Sequence, residues 1–141
     1  MQSRKAFLKT LSTAAIGIAC MGPGLLLSGC SAMVKVTPIR RDENFFISLT
    51  EIKPDAVLLV SHPDLPEQIY IVNEGEKYYA LSTICTHRGC GIRPAGKAFV
   101  CPCHGSEFAF DGTVLKGPAR ESLKRYSIEK QPDQLVIKIQ G

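Results

Sequence analysis

Hydrophobic residues between positions 44 and 141 occur in short runs rich in Val, Ile, Leu, Phe and Tyr, with turn residues between them. Asn73-Glu74-Gly75-Glu76 separates two of these runs and Gln131-Pro132-Asp133 separates the last two, and both segments are typical of hairpin turns. No stretch keeps a helical period over three turns. The pattern predicts an all-β fold, a small antiparallel sandwich or barrel. The predicted strands are 45–49, 56–61, 68–72, 78–82, 98–101, 106–110, 123–128 and 135–139.

The first 29 residues have the composition of an export signal. Three basic and no acidic residues stand in the first nine positions, and an uncharged run of 25 residues follows. This run contains Leu27-Ser28-Gly29-Cys30, which resembles a bacterial lipobox. Residues 1–29 are therefore predicted to be a lipoprotein signal peptide, and Cys30 the lipidated residue. Positions 3–9 also resemble a twin-arginine signal, with Lys5 in place of the second arginine.

An uncleaved membrane helix is the alternative, because 25 uncharged residues are long enough to span a bilayer. Gly22-Pro23-Gly24, in the middle of the run, would break or kink such a helix. Residues 30–43 are polar and mixed, so we expect a lipidated tether there and the folded domain over residues 44–141. The protein would then be exported and lipid-anchored at the periplasmic face of the membrane or the cell surface. In the alternative, an N-terminal transmembrane anchor would hold it.

The size and charge of the chain exclude several classes of protein. Its 141 residues correspond to one domain, which leaves no room for separate substrate and nucleotide domains. The net charge is only +4, and three of the 17 basic residues lie within the signal. The chain therefore has no basic arm, and a nucleic-acid partner is not expected.

Two short segments contain most of the metal-binding residue types, and they read Cys85-Thr86-His87-Arg88-Gly89-Cys90 and Cys101-Pro102-Cys103-His104-Gly105-Ser106. One Cys and one His from each segment would form a four-ligand site and leave one further Cys in each. Three interpretations are open at this point. They are two ordinary disulfides with surface histidines, a structural zinc site, and a 2Fe–2S cluster with two Cys on one iron and two His on the other.

The two segments, C-T-H-x-G-C and C-P-C-H-G-S, resemble the paired signature of Rieske iron–sulfur proteins. Residues 111–119 resemble the proline loop of the same family, and the resemblance extends from about residue 51 to the C-terminus. It implies one 2Fe–2S cluster, with one iron bound by two cysteines and the other by two histidines, namely Cys85 and Cys101, and His87 and His104. It further implies that the two remaining cysteines, Cys90 and Cys103, form a disulfide.

By the same resemblance, Ser106, Phe108, Gly117 and Pro118 surround the cluster. Ser106 would donate a hydrogen bond to a bridging sulfide, which raises the reduction potential. Phe108 stands where high-potential members of the family have a tyrosine that donates another such bond. We therefore expect a potential below that of quinol-oxidising members.

The resemblance implies a one-electron carrier with no substrate site of its own, either membrane-anchored or a small subunit of a periplasmic oxidoreductase. The alternative is the Rieske subunit of a cytochrome bc-type quinol-oxidising complex, where Arg88 would stand at a position that is commonly Leu. Basic residues near the two segments are either a solvated surface or a docking face for an acidic redox partner, such as a cytochrome. The implied disulfide needs an oxidising compartment, which the export signal would supply.

Overall fold

The computed structural model describes residues 33–139, so the predictions for residues 1–29 and for Cys30 lie outside the described part of the chain. No helix within residues 33–139 is long and apolar enough to cross a membrane. These residues form one 3-10 turn at Leu49–Glu51 and twelve strands. The strands are β1 (Val34–Val36), β2 (Ile39–Arg41), β3 (Asn44–Ser48), β4 (Val57–Val60), β5 (Ile69–Glu74), β6 (Lys77–Ser82), β7 (Arg93–Ala95), β8 (Ala98–Val100), β9 (Glu107–Ala109), β10 (Val114–Lys116), β11 (Arg125–Lys130) and β12 (Gln134–Lys138).

Eight of the strands form one curled sheet, in the order β1-β4-β5-β6-β11-β12-β3-β2. Its two end strands, β1 and β2, are joined along the chain by Thr37 and Pro38 alone. Because consecutive Cα atoms are about 3.8 Å apart, this link spans roughly 11 Å at most. The two edges of the sheet therefore lie close together, and the sheet curls into a small barrel. This confirms the predicted all-β fold.

Strand β5 is buried on both of its faces, which explains why its sequence is a nearly continuous apolar run. Successive side chains of a strand point to opposite faces. Ile69 and Ile71 lie in the core inside the barrel, whereas Tyr70 and Val72 lie in a second core on its outer face. The second core joins the barrel to the smaller sheet, since the Tyr70 ring stacks on Phe99 of β8 with the ring centroids 4.8 Å apart.

The smaller sheet has the order β10-β9-β8-β7 and positions the two Cys/His segments. One segment lies in the loop that precedes β7, and the other lies in the loop that follows β8. Arg93 at the start of β7 pairs with Val100 at the end of β8. Both loops consequently leave the sheet at the same end. The end of β10 reaches this end too, because Lys116 pairs with Glu107 at the start of β9.

The sequence predicts that the folded domain begins at residue 44, but the sheet begins ten residues earlier, at Val34. Within the expected tether, β1 pairs in parallel with β4, and β2 pairs antiparallel with β3. Residues 34–41 are therefore part of the fold and not of a tether. Strands β7 and β10 are also absent from the predicted set. Each of these four strands has three residues, at least one of them Lys or Arg, so none has an apolar pattern of its own and each depends on pairing with its neighbour.

Candidate metal centre

The two loops that carry the Cys/His segments have the same backbone construction. In the first, the Cys85 N–H donates to the Cys90 carbonyl at 2.8 Å and the Gly89 N–H donates to the Cys85 carbonyl at 2.9 Å. In the second, the Cys101 N–H donates to the Ser106 carbonyl at 2.8 Å and the Gly105 N–H donates to the Cys101 carbonyl at 3.0 Å. The two glycines have φ values of 75° and 74°, a conformation that favours glycine. Each loop therefore presents its first cysteine and its histidine from a closed turn.

A disulfide between Cys90 and Cys103 joins the two loops, as the resemblance implies, with an S–S distance of 2.10 Å. The Sγ atoms of Cys90, Cys101 and Cys103 lie within 4.8 Å of one another. Since two of these three sulfurs are bonded to each other, only Cys101 retains a thiol that can bind a metal. The disulfide thus holds the second loop against the first, directly beside one candidate ligand.

Cys85 and Cys101 are the free cysteines of residues 33–139, and both are buried. They belong to the second core together with Phe99 and Phe108. Thiolates in such apolar surroundings are poorly solvated and need a compensating positive charge. Two thiols that could bind a metal are therefore available on the inner side of the loops, and a bound metal ion would supply that charge.

The two histidine rings lie on the outer side. His87 and His104 are in contact at a centroid distance of 4.8 Å, with the ring planes at 89°. The His104 side chain is exposed, whereas His87 is half-buried and its Nδ1 atom is buried without a hydrogen-bond partner. Burial, followed by the neighbouring His104 and Arg88, lowers the pKa of His87. A neutral ring with an unpartnered buried nitrogen fits a metal ligand.

Two thiols and two imidazoles fit both a zinc ion and a 2Fe–2S cluster. Comparison with known families distinguishes the two, since residues 47–127 match the Rieske [2Fe-2S] domain. This chain belongs to the Rieske family. Its cofactor is accordingly a 2Fe–2S cluster, and the zinc interpretation is set aside.

Relatives of this Rieske chain include the cytochrome b6-f complex iron-sulfur subunit of Chlorobaculum tepidum, which is 35% identical over 75 residues, 52% of this chain and 41% of that protein. The corresponding subunit of Synechococcus sp. strain JA-3-3Ab is 36% identical over 88 residues, 61% of this chain and 51% of that protein. The match therefore spans about half or less of these relatives. Among solved structures, the cyanobacterial plasma membrane Rieske protein PetC3 from Synechocystis PCC 6803 has a TM-score of 0.52 and 35% identity, covering 58% of this chain and 85% of that one.

The residues expected around the cluster lie at the same end of the Rieske domain. Ser106 is fully buried, and its Oγ accepts a hydrogen bond from the Ala119 N–H at 3.0 Å. This bond joins the second loop to the segment that contains the Gly117–Pro118 peptide, which is cis. Pro118 lines an open cleft of about 380 Å³ together with His87. Phe108 is fully buried in the same core as the two free cysteines.

The surface around the histidines of the Rieske domain carries basic side chains. Arg88 and Arg120 are exposed and form no ion pair with any residue from 33 to 139. By contrast, the Lys116 ammonium lies 3.1 Å from the Glu107 carboxylate, which compensates its charge. Of the basic residues at this end of the domain, Lys116 is therefore compensated, whereas Arg88, Arg120 and the exposed Arg93 at the start of β7 form no ion pair with any described residue.

Two hydrogen bonds that hold the first loop could not be found from the sequence. The Thr86 hydroxyl donates to the Glu121 carbonyl at 2.6 Å, across 35 positions. The Tyr70 hydroxyl donates to the Ile92 carbonyl at 2.9 Å, and burial raises the pKa of this phenol. Both donors lie far along the chain from their acceptors, so only the folded structure reveals that they anchor the loop at two points.

Proposed function

We propose that this protein transfers single electrons through its 2Fe–2S cluster, with Cys85 and Cys101 binding one iron and His87 and His104 binding the other. The observation that carries this assignment is the buried, unpartnered Nδ1 atom of His87, next to the ring of the second histidine. The two free, buried thiols support it further. When bound, the cluster supplies a one-electron redox couple, and its histidine ligands raise the potential above that of all-cysteine clusters.

The burial of these residues suggests where electrons enter and leave. The two thiols lie within the second core, whereas His104 is exposed. A redox partner would thus approach the histidine side. The unpaired charges of Arg88 and Arg120 beside it favour an acidic partner, because complementary charge accelerates and orients encounter.

For the cellular setting, we propose an exported carrier held to the membrane by a lipid on Cys30, or a small subunit of a periplasmic oxidoreductase. In this arrangement residues 1–29 are a cleaved signal and the redox domain follows. The alternative is the Rieske subunit of a cytochrome bc-type quinol-oxidising complex. The names of the two relatives favour that alternative, because both are subunits of cytochrome b6-f complexes.

The assignment of the ligands is tested by the iron and acid-labile sulfide content of the purified domain. We expect two irons and two sulfides per chain, and their loss in Cys85→Ser and His104→Ala. His62→Ala is the matched control, since His62 lies in the loop after β4, against Phe45 of β3, and should leave both contents unchanged. Stoichiometric zinc without sulfide would overturn the proposal.

The proposed docking charge is tested by stopped-flow oxidation of the reduced protein. Ferricyanide, an anion, should react several-fold more slowly with an Arg88→Glu, Arg120→Glu double variant than with wild type. Tris(phenanthroline)cobalt(III), a cation, should not lose rate in the same variant. Equal losses with both oxidants would argue against an electrostatic effect.

The anchor is tested by intact-mass measurement of the membrane-extracted protein. A mature chain that begins at a diacylglycerol-modified Cys30 supports the lipid-anchored carrier. An unprocessed chain that begins at Met1 favours the helix-anchored complex subunit.

A further inference from the structure

A single carboxylate lies close to the first cluster-binding loop and accepts hydrogen bonds from two hydroxyl groups. Glu67, in the loop between β4 and β5, accepts from the Ser82 hydroxyl through Oε2 at 2.6 Å and from the Tyr126 phenol through Oε1. Ser82 and Tyr126 are both buried. Both oxygens of Glu67 act as acceptors, which is the behaviour of an ionised carboxylate. Burial and the nearby Glu67 keep the pKa of the Tyr126 phenol above its usual value, so that it remains a donor.

This carboxylate is connected to the cluster loop through Ser82. The Ser82 Oγ accepts a hydrogen bond from the Ile84 N–H at 3.0 Å, and Ile84 immediately precedes the candidate ligand Cys85. Because the Ser82 proton is directed to Glu67, the lone pairs of its oxygen are available to Ile84. Glu67, Ser82, Ile84 and Cys85 line one cleft of about 340 Å³.

The charge of Glu67 is only partly offset. The Lys124 ammonium lies 4.8 Å from the centroid of the Tyr126 ring, on the wall of the same cleft. It forms no ion pair with Glu67, and no other charged residue from 33 to 139 lines this cleft. The two hydroxyl donors are therefore the groups that directly stabilise this negative charge.

We propose that Glu67 is a positioning residue for electron transfer, which holds the Cys85 loop through Ser82 and whose negative charge lowers the reduction potential of the cluster. This inference rests on the proposed ligand assignment. In the folded protein, Tyr126 and Ser82 set how strongly that charge acts on the cluster, because each donated hydrogen bond places a partially positive hydrogen against the carboxylate and offsets part of its charge.

Two substitutions that disturb the hydrogen bond between Tyr126 and Glu67 distinguish an effect of the Glu67 charge from a purely mechanical support of the loop. Glu67→Gln removes the charge but keeps the shape, so the potential should rise. Tyr126→Phe keeps the charge and removes a donor, so the carboxylate is less stabilised and the potential should fall. A loop that is merely loosened would shift both variants in the same direction. Potentials are measured by protein-film voltammetry on variants with full iron content.

The bracing is measured on the protein as purified, by a readout that does not involve electron transfer. Ser82→Ala should speed amide hydrogen exchange in residues 82–86 about tenfold, the equivalent of roughly 1.4 kcal/mol, because the Ile84 N–H loses its acceptor. Thr83→Val is the matched control. It removes a hydroxyl bond from Thr83 to the Gln68 carbonyl, 3.1 Å long, between the same two segments, but leaves the Glu67 contacts intact.

Opposite potential shifts in Glu67→Gln and Tyr126→Phe, together with faster exchange in Ser82→Ala alone, establish the proposal. Potential shifts of the same sign, no shift in either variant, or equal exchange in Ser82→Ala and Thr83→Val overturn it. If Glu67→Gln does not fold, a potential in Tyr126→Phe or Ser82→Ala at or above that of wild type overturns it equally. A wild-type protein without iron and sulfide would instead refute the proposed function, which separates the two failures.

Discussion

Replacing Ser106 by alanine should lower the reduction potential of the cluster. Ser106 is fully buried, and its oxygen already accepts the Ala119 N–H at 3.0 Å. No acceptor for its own hydroxyl proton occurs among residues 33–139. The proton is thus available to a cluster sulfur, as the family resemblance implies. Ser106→Ala removes this donor without changing any charge of the protein.

The expected size of the shift follows from the strength of one such bond. A hydrogen bond to a charged acceptor contributes about 1.5–3 kcal/mol, and we take ~1 kcal/mol of this as the difference between the two redox states. For a one-electron couple, about 59 mV corresponds to ~1.4 kcal/mol, so the potential should fall by about 40 mV. The Ala119 N–H also loses its acceptor, which should cost about 1–3 kcal/mol of unfolding free energy.

Protein-film voltammetry measures the potential, and urea unfolding measures the stability. Thr113→Val is a suitable control, because the Thr113 hydroxyl donates to Asp111 at 2.7 Å in the turn between β9 and β10, at the opposite end of β9 from the second loop. It should lose stability with little change in potential. If Ser106→Ala is destabilised but keeps the wild-type potential, its hydroxyl does not reach the cluster and the reasoning is refuted.

Three further outcomes are expected. Phe108→Tyr should raise the potential by tens of millivolts if its ring faces a ligand sulfur, whereas Phe99→Tyr, in the same core, should not, and voltammetry of both decides. Because the pKa of His87 is lowered from 6.5, the unfolded chain binds more protons. The cluster-free domain should therefore lose stability as the pH falls below about 6.5, less steeply in His87→Gln, and equal slopes in urea titrations would contradict this. Replacing Cys90 and Cys103 by alanine opens a cross-link across 13 positions and should reduce the unfolding free energy by roughly 3 kcal/mol, the value for a ~15-residue loop; an unchanged urea midpoint would argue against it.

The sequence predicts strands correctly where a strand has its own apolar pattern. The eight predicted strands all occur, and no end is shifted by more than two residues. It fails at β1, β2, β7 and β10, which have three residues each and, unlike the equally short β8 and β9, contain no aromatic residue. Strand β7 even contains Pro94, which lowers strand propensity, and β7 is an edge strand of its sheet, where proline is tolerated. Such strands form because a neighbouring strand offers free backbone groups, and that information lies elsewhere in the chain.

Some features of the candidate site could likewise be predicted from the local sequence, and others could not. Cysteine and histidine spacing within each segment predicts the chemistry and, through the resemblance, the Cys90–Cys103 disulfide that the structure contains. The contacts that fix the first loop from outside have no such signal. Glu67 reaches Tyr126 across 59 positions, and nothing in the local sequence of either residue marks them as a pair. Short motifs report ligands, whereas the residues that orient those ligands become visible only when the barrel brings distant strands together.

The candidate ligands differ in burial between the two sides of the centre. Cys85 and Cys101, with Ser106 beside them, lie inside the domain, where hydrogen bonds and charges are weakly screened. His104 and Arg88 lie at the surface, where salt and water reduce the effect of a charge within about 8–10 Å. A substitution at Arg88 can therefore alter which partner binds while changing the potential little. His104 is the exception, because it is exposed and is also a proposed iron ligand, so a substitution there should change both the potential and the contact with a partner.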